Sequence, residues 1–209
     1  MGILDEIGLR KGTDKSSIGH GYLDIYEEYL ERYRNLQINI LEIGVFNGNS
    51  VSMWKEYFPH ANIIGVDYDP RCTEYEESRI KIVIGNASDE KMLIDIVEEN
   101  GAPTVVVDDG SHRWDHQILA MKTLLPRMAK GGTYICEDID TSFEGQLAQA
   151  PFDGGSEIRT FDYLCEISKV MVAGSAIGSE PVHDEFVREA GSMIRSVTFI
   201  PKSCILQLN

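Results

Sequence analysis

Residues 38–50 read INILEIGVFNGNS, and the fold is decided here: a short apolar, β-branched run closes on a turn with glycines at 44 and 48. A run of that length bounded by a turn is a buried strand. The segment behind it, SVSMWKEYF (50–58), has helix-like spacing. The same alternation continues outward. NIIGVDYD (62–69) and RIKIVIGN (79–86) are a second and third strand, and DEKMLIDIVEEN (89–100) is an amphipathic helix. TVVVDDGSH (104–112) is a fourth strand with a polar turn, WDHQILAMKTLLPRM (114–128) a helix, and GGTYICEDID (131–140) a fifth strand. Short apolar strands alternating with helices predict a parallel sheet covered on both faces.

The two ends of the chain depart from this pattern. SVTFIPKSCILQL (196–208) reads as two strands joined by Pro201-Lys202-Ser203, an antiparallel hairpin on the sheet edge. Toward the N-terminus, a polar loop precedes Tyr22, Ile25, Tyr26, Tyr29, Leu30 and Tyr33, whose spacing of three and four predicts a helix ending near Leu36. No repeat or linker interrupts the 209 residues, so a single domain over 1–209 is expected, with residues 1–36 as a helical cap. The polar, glycine-bearing stretch after the fifth strand, within 141–165, reads as an active-site lid or as a plain surface loop.

Charge and cysteine content exclude several functions. A net charge of −15 with no clustered Lys or Arg argues against a nucleic-acid substrate. No apolar run is long enough for a membrane helix. The acidic, polar N-terminus does not resemble a secretory leader, so the expected location is cytoplasmic. Cys72, Cys136, Cys165 and Cys204 are scattered without a CxxC pair, which predicts reduced, mostly buried thiols rather than a zinc site or disulfide framework.

Glu42, Gly44 and Gly48 fall on a strand-to-helix turn where missing Cβ atoms let the backbone approach a ligand. The spacing E-x-G-x-x-x-G is not the G-x-G-x-x-G that cradles a dinucleotide pyrophosphate. That counts against a nicotinamide-dependent oxidoreductase. Asp67 ends the second strand, where a carboxylate can accept both ribose hydroxyls. A nucleoside-type cofactor without that pyrophosphate fits both signals; a tight turn with a solvated aspartate is the alternative. Asn86 and Ser88, at the end of the third strand, are candidates for an adenine edge or simply turn residues. Asn47 within the first turn and Asp108 at the end of the fourth strand join the cofactor-binding candidates.

Two acidic clusters follow: Asp108-Asp109 on the fourth strand and Glu137-Asp138 on the fifth. Ligands of open α/β sheets bind at the carboxyl ends of the strands, where both clusters fall. Carboxylates crowded together repel unless protonated or bridged by a cation, and all-oxygen ligands suit Mg²⁺, with Mn²⁺ or Ca²⁺ as alternatives. Asp109, Glu137 and Asp138 are the expected ligands. His112, three residues past Asp109, is the expected general base, since an imidazole titrating near pH 6.5 can take a hydroxyl proton; a helix-capping turn histidine is the alternative. His116 and Gln117, on the following helix, are expected to support that centre rather than react.

KGTDK with HGY, LEIGVFNGNS, IIGVDYDPR, DDGSH with HQ, GGTYICEDI and a later FDGG together resemble the macrolide-type sugar O-methyltransferases, including the mycinamicin and calicheamicin deoxysugar enzymes. The resemblance runs from about Lys11 to Gly155. It implies a Rossmann-like class I methyltransferase fold with a mostly parallel seven-stranded sheet and an antiparallel C-terminal hairpin. It also implies S-adenosylmethionine on the Glu42–Gly48 turn with Asp67 on the ribose, Mg²⁺ on Asp109, Glu137 and Asp138, and His112 as base. Gly12–Lys15, with Thr13 as a cofactor contact, is implied to fold over the cofactor and active site. The implied reaction methylates a sugar hydroxyl of a natural-product glycoside, in a protein that can form homo-oligomers. A phenolic or polyketide hydroxyl is the alternative acceptor, and Phe143, Phe152, Phe161 and Tyr163 would supply an aromatic pocket for it. A non-catalytic cofactor-binding protein is the remaining reading, against which the intact acids and His112 argue.

Overall fold

The structure, a computed structural model, describes residues 2–147 and 152–209, in two compact units, Met1–Asn86 and Ala87–Asn209. The first unit carries helices α1 (Ile3–Lys11) and α2 (Leu23–Leu30), strand β1 (Asn39–Ile43), helix α3 (Asn49–Tyr57), and strands β2 (Asn62–Asp67) and β3 (Ile80–Ile84). Its strands run parallel in the order β3-β2-β1, with Asn39 opposite Asn62 and Ile63 opposite Ile80. Strands β1 and β2 bury side chains on both faces, among them Ile40, Leu41, Ile63 and Val66 and the carboxylate of Glu42, as expected of a sheet covered on either side.

The N-terminal residues read as a polar loop are instead helix α1. Leu4, Ile7 and Gly8 face inward while Asp5 and Glu6 open the first turn and Arg10 and Lys11 close the last, an arrangement matched to the helix dipole. Gly12 ends the helix in the left-handed region at φ 75°, donating its N–H to the carbonyls of Gly8 and Leu9. The expected helix through Tyr22–Tyr33 is present as α2 and a 3₁₀ turn, with Tyr22, Tyr26, Leu30 and Tyr33 buried.

The second unit contains α4 (Glu90–Asn100), β4 (Val105–Asp108), α5 (Trp114–Leu124), β5 (Thr133–Cys136), α6 (Glu144–Leu147), α7 (Thr160–Ala173), α8 (Glu185–Met193), β6 (Ile194–Ile200) and β7 (Ser203–Leu208). Its strand order is β4-β5-β7-β6. Strands β4 and β5 are parallel with Asp108 opposite Cys136, while β7 runs back antiparallel with Cys204 opposite Cys136. The C-terminal hairpin is therefore as expected, with the turn at Pro201-Lys202 and Ser203 already in β7. Seven strands, parallel except for that hairpin, make the class I methyltransferase fold.

Helices α7 and α8 fall where the sequence had given no element. Tyr163, Leu164, Ile167 and Val170 form the buried stripe of α7, and Phe186, Val187 and Ala190 that of α8. Asp184 caps α8 by accepting the Val187 N–H at 3.0 Å, and it also accepts from Tyr163 Oη and Lys122 Nζ. The expected lid overlaps α6 and the start of α7, and residues 148–151 of it lie outside the described residues.

Candidate functional site

In the first unit, the chain leaves β1 through Gly44, whose φ of 94° is open only to glycine without strain, and whose N–H donates to the Val66 carbonyl at 2.8 Å. Asp67 fastens the turn. Its Oδ2 accepts the N–H groups of Val45 and Phe46 at 2.8 and 3.0 Å, and its Oδ1 that of Asp69 at 2.9 Å. Burial raises the Asp67 pKa, but the N–H groups of Phe46, Asp69 and Val45 outweigh it and hold the carboxyl below its ordinary value. It is thus an ionised acceptor at neutral pH. Gly48 heads α3 at φ 71°, and a Cβ there would stand 2.4 Å from the Tyr75 ring.

The other cofactor candidates of this unit sort by burial. Glu42 is fully buried and accepts from Ser50 Oγ at 2.9 Å, so it braces the turn from beneath. Asn47 is exposed and accepts the Asn49 N–H at 3.2 Å. Thr13 is buried, with its Oγ1 accepting the Lys15 N–H. The Gly12 carbonyl accepts from Asn49 Nδ2 at 3.0 Å, which ties the GTDK segment to the head of α3. Asn86 is exposed at the end of the unit.

In the second unit, Ser88 is half-buried in the turn before α4. Asp108 is buried and accepts from Tyr134 Oη at 3.0 Å. Burial pushes its carboxyl up to about 6, against the opposing pull of that hydroxyl.

Asp109, His112 and Asp138 bring one donor atom each to within 4.8 Å of one another. His112 Nε2 lies 3.6 Å from Asp138 Oδ2. Parallel pairing of β4 with β5 creates this approach, because both strands end level at Asp108 and Cys136. His112 and Asp138 both hold left-handed backbone, at φ 57° and 53°, a conformation that costs a side chain on the order of 1 kcal/mol. Thr141 supports both, its Oγ1 donating to the carbonyls of His112 at 3.1 Å and Asp138 at 3.0 Å. The His112 Nδ1 is buried with no hydrogen-bond partner among the described residues.

Glu137 lies outside this group of three. It is buried, its carbonyl accepts from Gln117 Nε2 at 2.7 Å, and its N–H donates to the Asp108 carbonyl. Strand β5 ends at Cys136, and Asp138 turns into left-handed backbone at φ 53° directly after Glu137. His116 bonds Ser111 Oγ through Nδ1 at 2.7 Å and, with Gln117, braces the turn as expected. Thr141 and Tyr134 were not singled out from the sequence; Thr141 bonds His112 29 residues away as well as Asp138 nearby, and the partner of Tyr134 lies 26 residues away.

A Rossmann-like sheet with a glycine turn fastened by a strand-end aspartate and an acidic cluster at the ends of β4 and β5 defines the class I methyltransferase fold. No protein-family model matches the chain. Among curated proteins, it is 35% identical over 167 residues to the 8-demethyl-8-(2-methoxy-alpha-L-rhamnosyl)-tetracenomycin-C 3'-O-methyltransferase of Streptomyces olivaceus, covering 75% of this chain and 43% of that one. It is 33% identical over 147 residues to the mycinamicin VI 2''-O-methyltransferase of Micromonospora griseorubida, covering 67% and 37%. Over these stretches the chain is homologous to sugar O-methyltransferases of macrolide and tetracenomycin pathways. It spans less than half the length of these relatives. The crystal structure of the MycE methyltransferase from the mycinamycin biosynthetic pathway, in complex with Mg and SAH, superposes with a TM-score of 0.86 at 25% identity, covering 99% of this chain and 53% of that one.

Proposed function

We propose that this chain transfers the methyl group of S-adenosylmethionine to a sugar hydroxyl of a small natural-product glycoside, with a divalent cation, Mg²⁺ first, at its reaction centre. The observation that carries the reading is the convergence of Asp109, His112 and Asp138 at the ends of β4 and β5. The two carboxylates offer the oxygen donors that a hard divalent ion takes, and the His112 Nδ1 beside them is a buried polar atom with no hydrogen-bond partner among the described residues. Asp109 and Asp138 are the residues proposed to hold the ion, with Glu137, which lies outside their close group, as the proposed third ligand. When bound, such an ion lowers the pKa of a nearby hydroxyl and orients it.

His112 is proposed to take the acceptor's hydroxyl proton, with Asp138 3.6 Å from its Nε2 stabilising the imidazolium that results. Thr141 holds the backbone of both residues, so the pair arrives oriented. The cofactor is proposed to occupy the Glu42–Gly48 turn, with Asp67 accepting the ribose hydroxyls through lone pairs its backbone donors leave open. Thr13, Asn47, Asn86, Ser88 and Asp108 are its proposed further contacts. The chain is proposed to work as one catalytic domain. The rhamnosyl tetracenomycin C and mycinamicin VI acceptors in the relatives' names support the acceptor class. Among the described residues, no helix is long and apolar enough to cross a membrane.

Calorimetric titration with S-adenosylhomocysteine, with Mg²⁺ and again with chelator, tests the reading. Saturable binding is expected in both, with a separate Mg²⁺ heat abolished in an Asp109→Asn, Asp138→Asn double variant. No binding of S-adenosylhomocysteine under either condition would refute it.

A further inference from the structure

The four aromatic residues that the sequence set near the fifth strand separate in the structure. Tyr163 is fully buried and donates its hydroxyl to Asp184, so it belongs to the core. Phe152 is fixed through its carbonyl, which accepts the Trp114 N–H. Phe143 and Phe161 instead join a third ring, Phe199 of β6. Phe161 stands between the other two at centroid separations of 5.2 and 5.4 Å, tilted by 53° and 54°. The outer two rings are open to solvent, Phe143 at 48% and Phe199 at 40%.

This trio rises from the same end of the strands as the Asp109–His112–Asp138 group. Phe143 directly follows the 3₁₀ turn Ile139–Ser142 that begins after Asp138. A turn of that kind rises about 2 Å per residue, which places Phe143 on the order of 10 Å along the chain from Asp138. Ser142 Oγ accepts the Phe161 N–H at 3.1 Å, and the Ile139 N–H donates to the Lys202 carbonyl in the β6–β7 turn at 2.8 Å. The turn that positions Asp138 is thereby bonded to the elements carrying all three rings.

We infer that Phe143, Phe161 and Phe199 form a shelf for the flat aromatic aglycone of the acceptor, and that this shelf selects aryl glycosides over alkyl ones. The inference rests on the reading of the chain as a glycoside O-methyltransferase and adds the class of aglycone. A sugar whose hydroxyl is presented to His112 leaves its aglycone further out, and the 3₁₀ turn after Asp138 carries Phe143 away from the same group. The outer phenyl faces are positioned for offset or edge-to-face contact with a further ring, the geometry Phe161 already makes with both. A protein partner would need an apolar patch of several hundred Å²; three rings supply the footprint of a small molecule.

The experiment compares 2-naphthyl and methyl α-L-rhamnopyranoside by calorimetry on the full chain saturated with Mg²⁺ and S-adenosylhomocysteine. The naphthyl glycoside is expected to bind at least ~10-fold tighter. Phe143→Ala and Phe199→Ala are each expected to remove about 3- to 10-fold of that preference, leaving the methyl glycoside's affinity as it was. Val172→Ala, at an exposed apolar position of α7, is expected to change neither. Equal affinity for the two glycosides, or none for either while S-adenosylhomocysteine still binds, overturns the shelf and leaves the methyltransferase reading standing. Loss of S-adenosylhomocysteine binding in the wild type overturns both. A change of sedimentation in the Phe variants without a change in glycoside affinity makes the rings a self-association surface and likewise overturns the inference.

Discussion

The turn after β1 and the turn after β4 sit at equivalent strand ends, yet they aim their left-handed side chains differently. Each must leave a parallel strand through left-handed conformations. The first gives φ of 94° and 71° to Gly44 and Gly48, where it is free of steric cost, and 50° to Phe46, whose N–H it fastens on Asp67 together with that of Val45. The second, with its partner turn after β5, gives φ of 57° and 53° to His112 and Asp138, both with side chains that then meet at 3.6 Å. One turn sends its left-handed side chain, that of Phe46, out to solvent and fastens the backbone on a carboxylate. The other stores strain and crowds titratable groups, the combination found where side-chain direction matters more than stability.

His112→Ala separates the two most sharply. Turnover is expected to fall by about 10²- to 10⁴-fold, with S-adenosylhomocysteine affinity unchanged by calorimetry; near-normal turnover would remove His112 as the base. Next in size is Gly48→Ala, expected to cost about 2–3 kcal/mol in urea unfolding, from left-handed strain and the clash with Tyr75. Pairing it with Tyr75→Ala should recover the steric part only, and full recovery would mean the φ carries no cost. Asp138→Gly reverses the sign: without added divalent ion, stability is expected to rise by ~0.5–1 kcal/mol while activity is lost. A stability loss there would show that the second turn is not strained.

The smallest effect is a pH dependence. Asp67 has a folded-state pKa held below its ordinary value. Its contribution to stability is therefore fully present above the unfolded carboxyl pKa of about 4 and disappears as pH falls through the lower folded value. The stability gap between wild type and Asp67→Asn should be flat above about pH 5 and close below about pH 4. A gap that persists unchanged to pH 2 would mean that ionised Asp67 does not fasten the first turn.

Much of this contrast was legible in the chain. The strands are short β-branched runs with punctuating glycines, so β1 through β5 and the hairpin emerge from period and turn chemistry alone. Asp109, His112 and Asp138 were readable because strand ends of a parallel sheet converge. Helix α1 was not, because its buried face of Leu4, Ile7 and Gly8 also includes the charged Asp5 and so has no apolar stripe. Helix α7 carries a readable stripe at Tyr163, Leu164, Ile167 and Val170, at the three- and four-residue spacing of a helix. The choice of His112 over Glu137 as third member of the tight group depends on the left-handed turn at Asp138, which no non-glycine residue advertises. Phe199 joins Phe143 and Phe161 only because β7 returns antiparallel to β5, a long-range pairing without a local signature.

The register that sets Cys204 opposite Cys136 has a consequence for the chemistry of the protein toward electrophiles and oxidants. Burial drives both thiols far above their ordinary pKa, raises Cys72 to about 11, and raises Cys165 as well. A thiol reacts as its thiolate, so at neutral pH all four sulfurs are poor nucleophiles. Two cysteines on adjacent strands thus sit side by side in the reduced state, and a thiol-reactive label should modify the folded chain slowly and the unfolded chain fast, giving a direct report on opening of the β5–β7 pair.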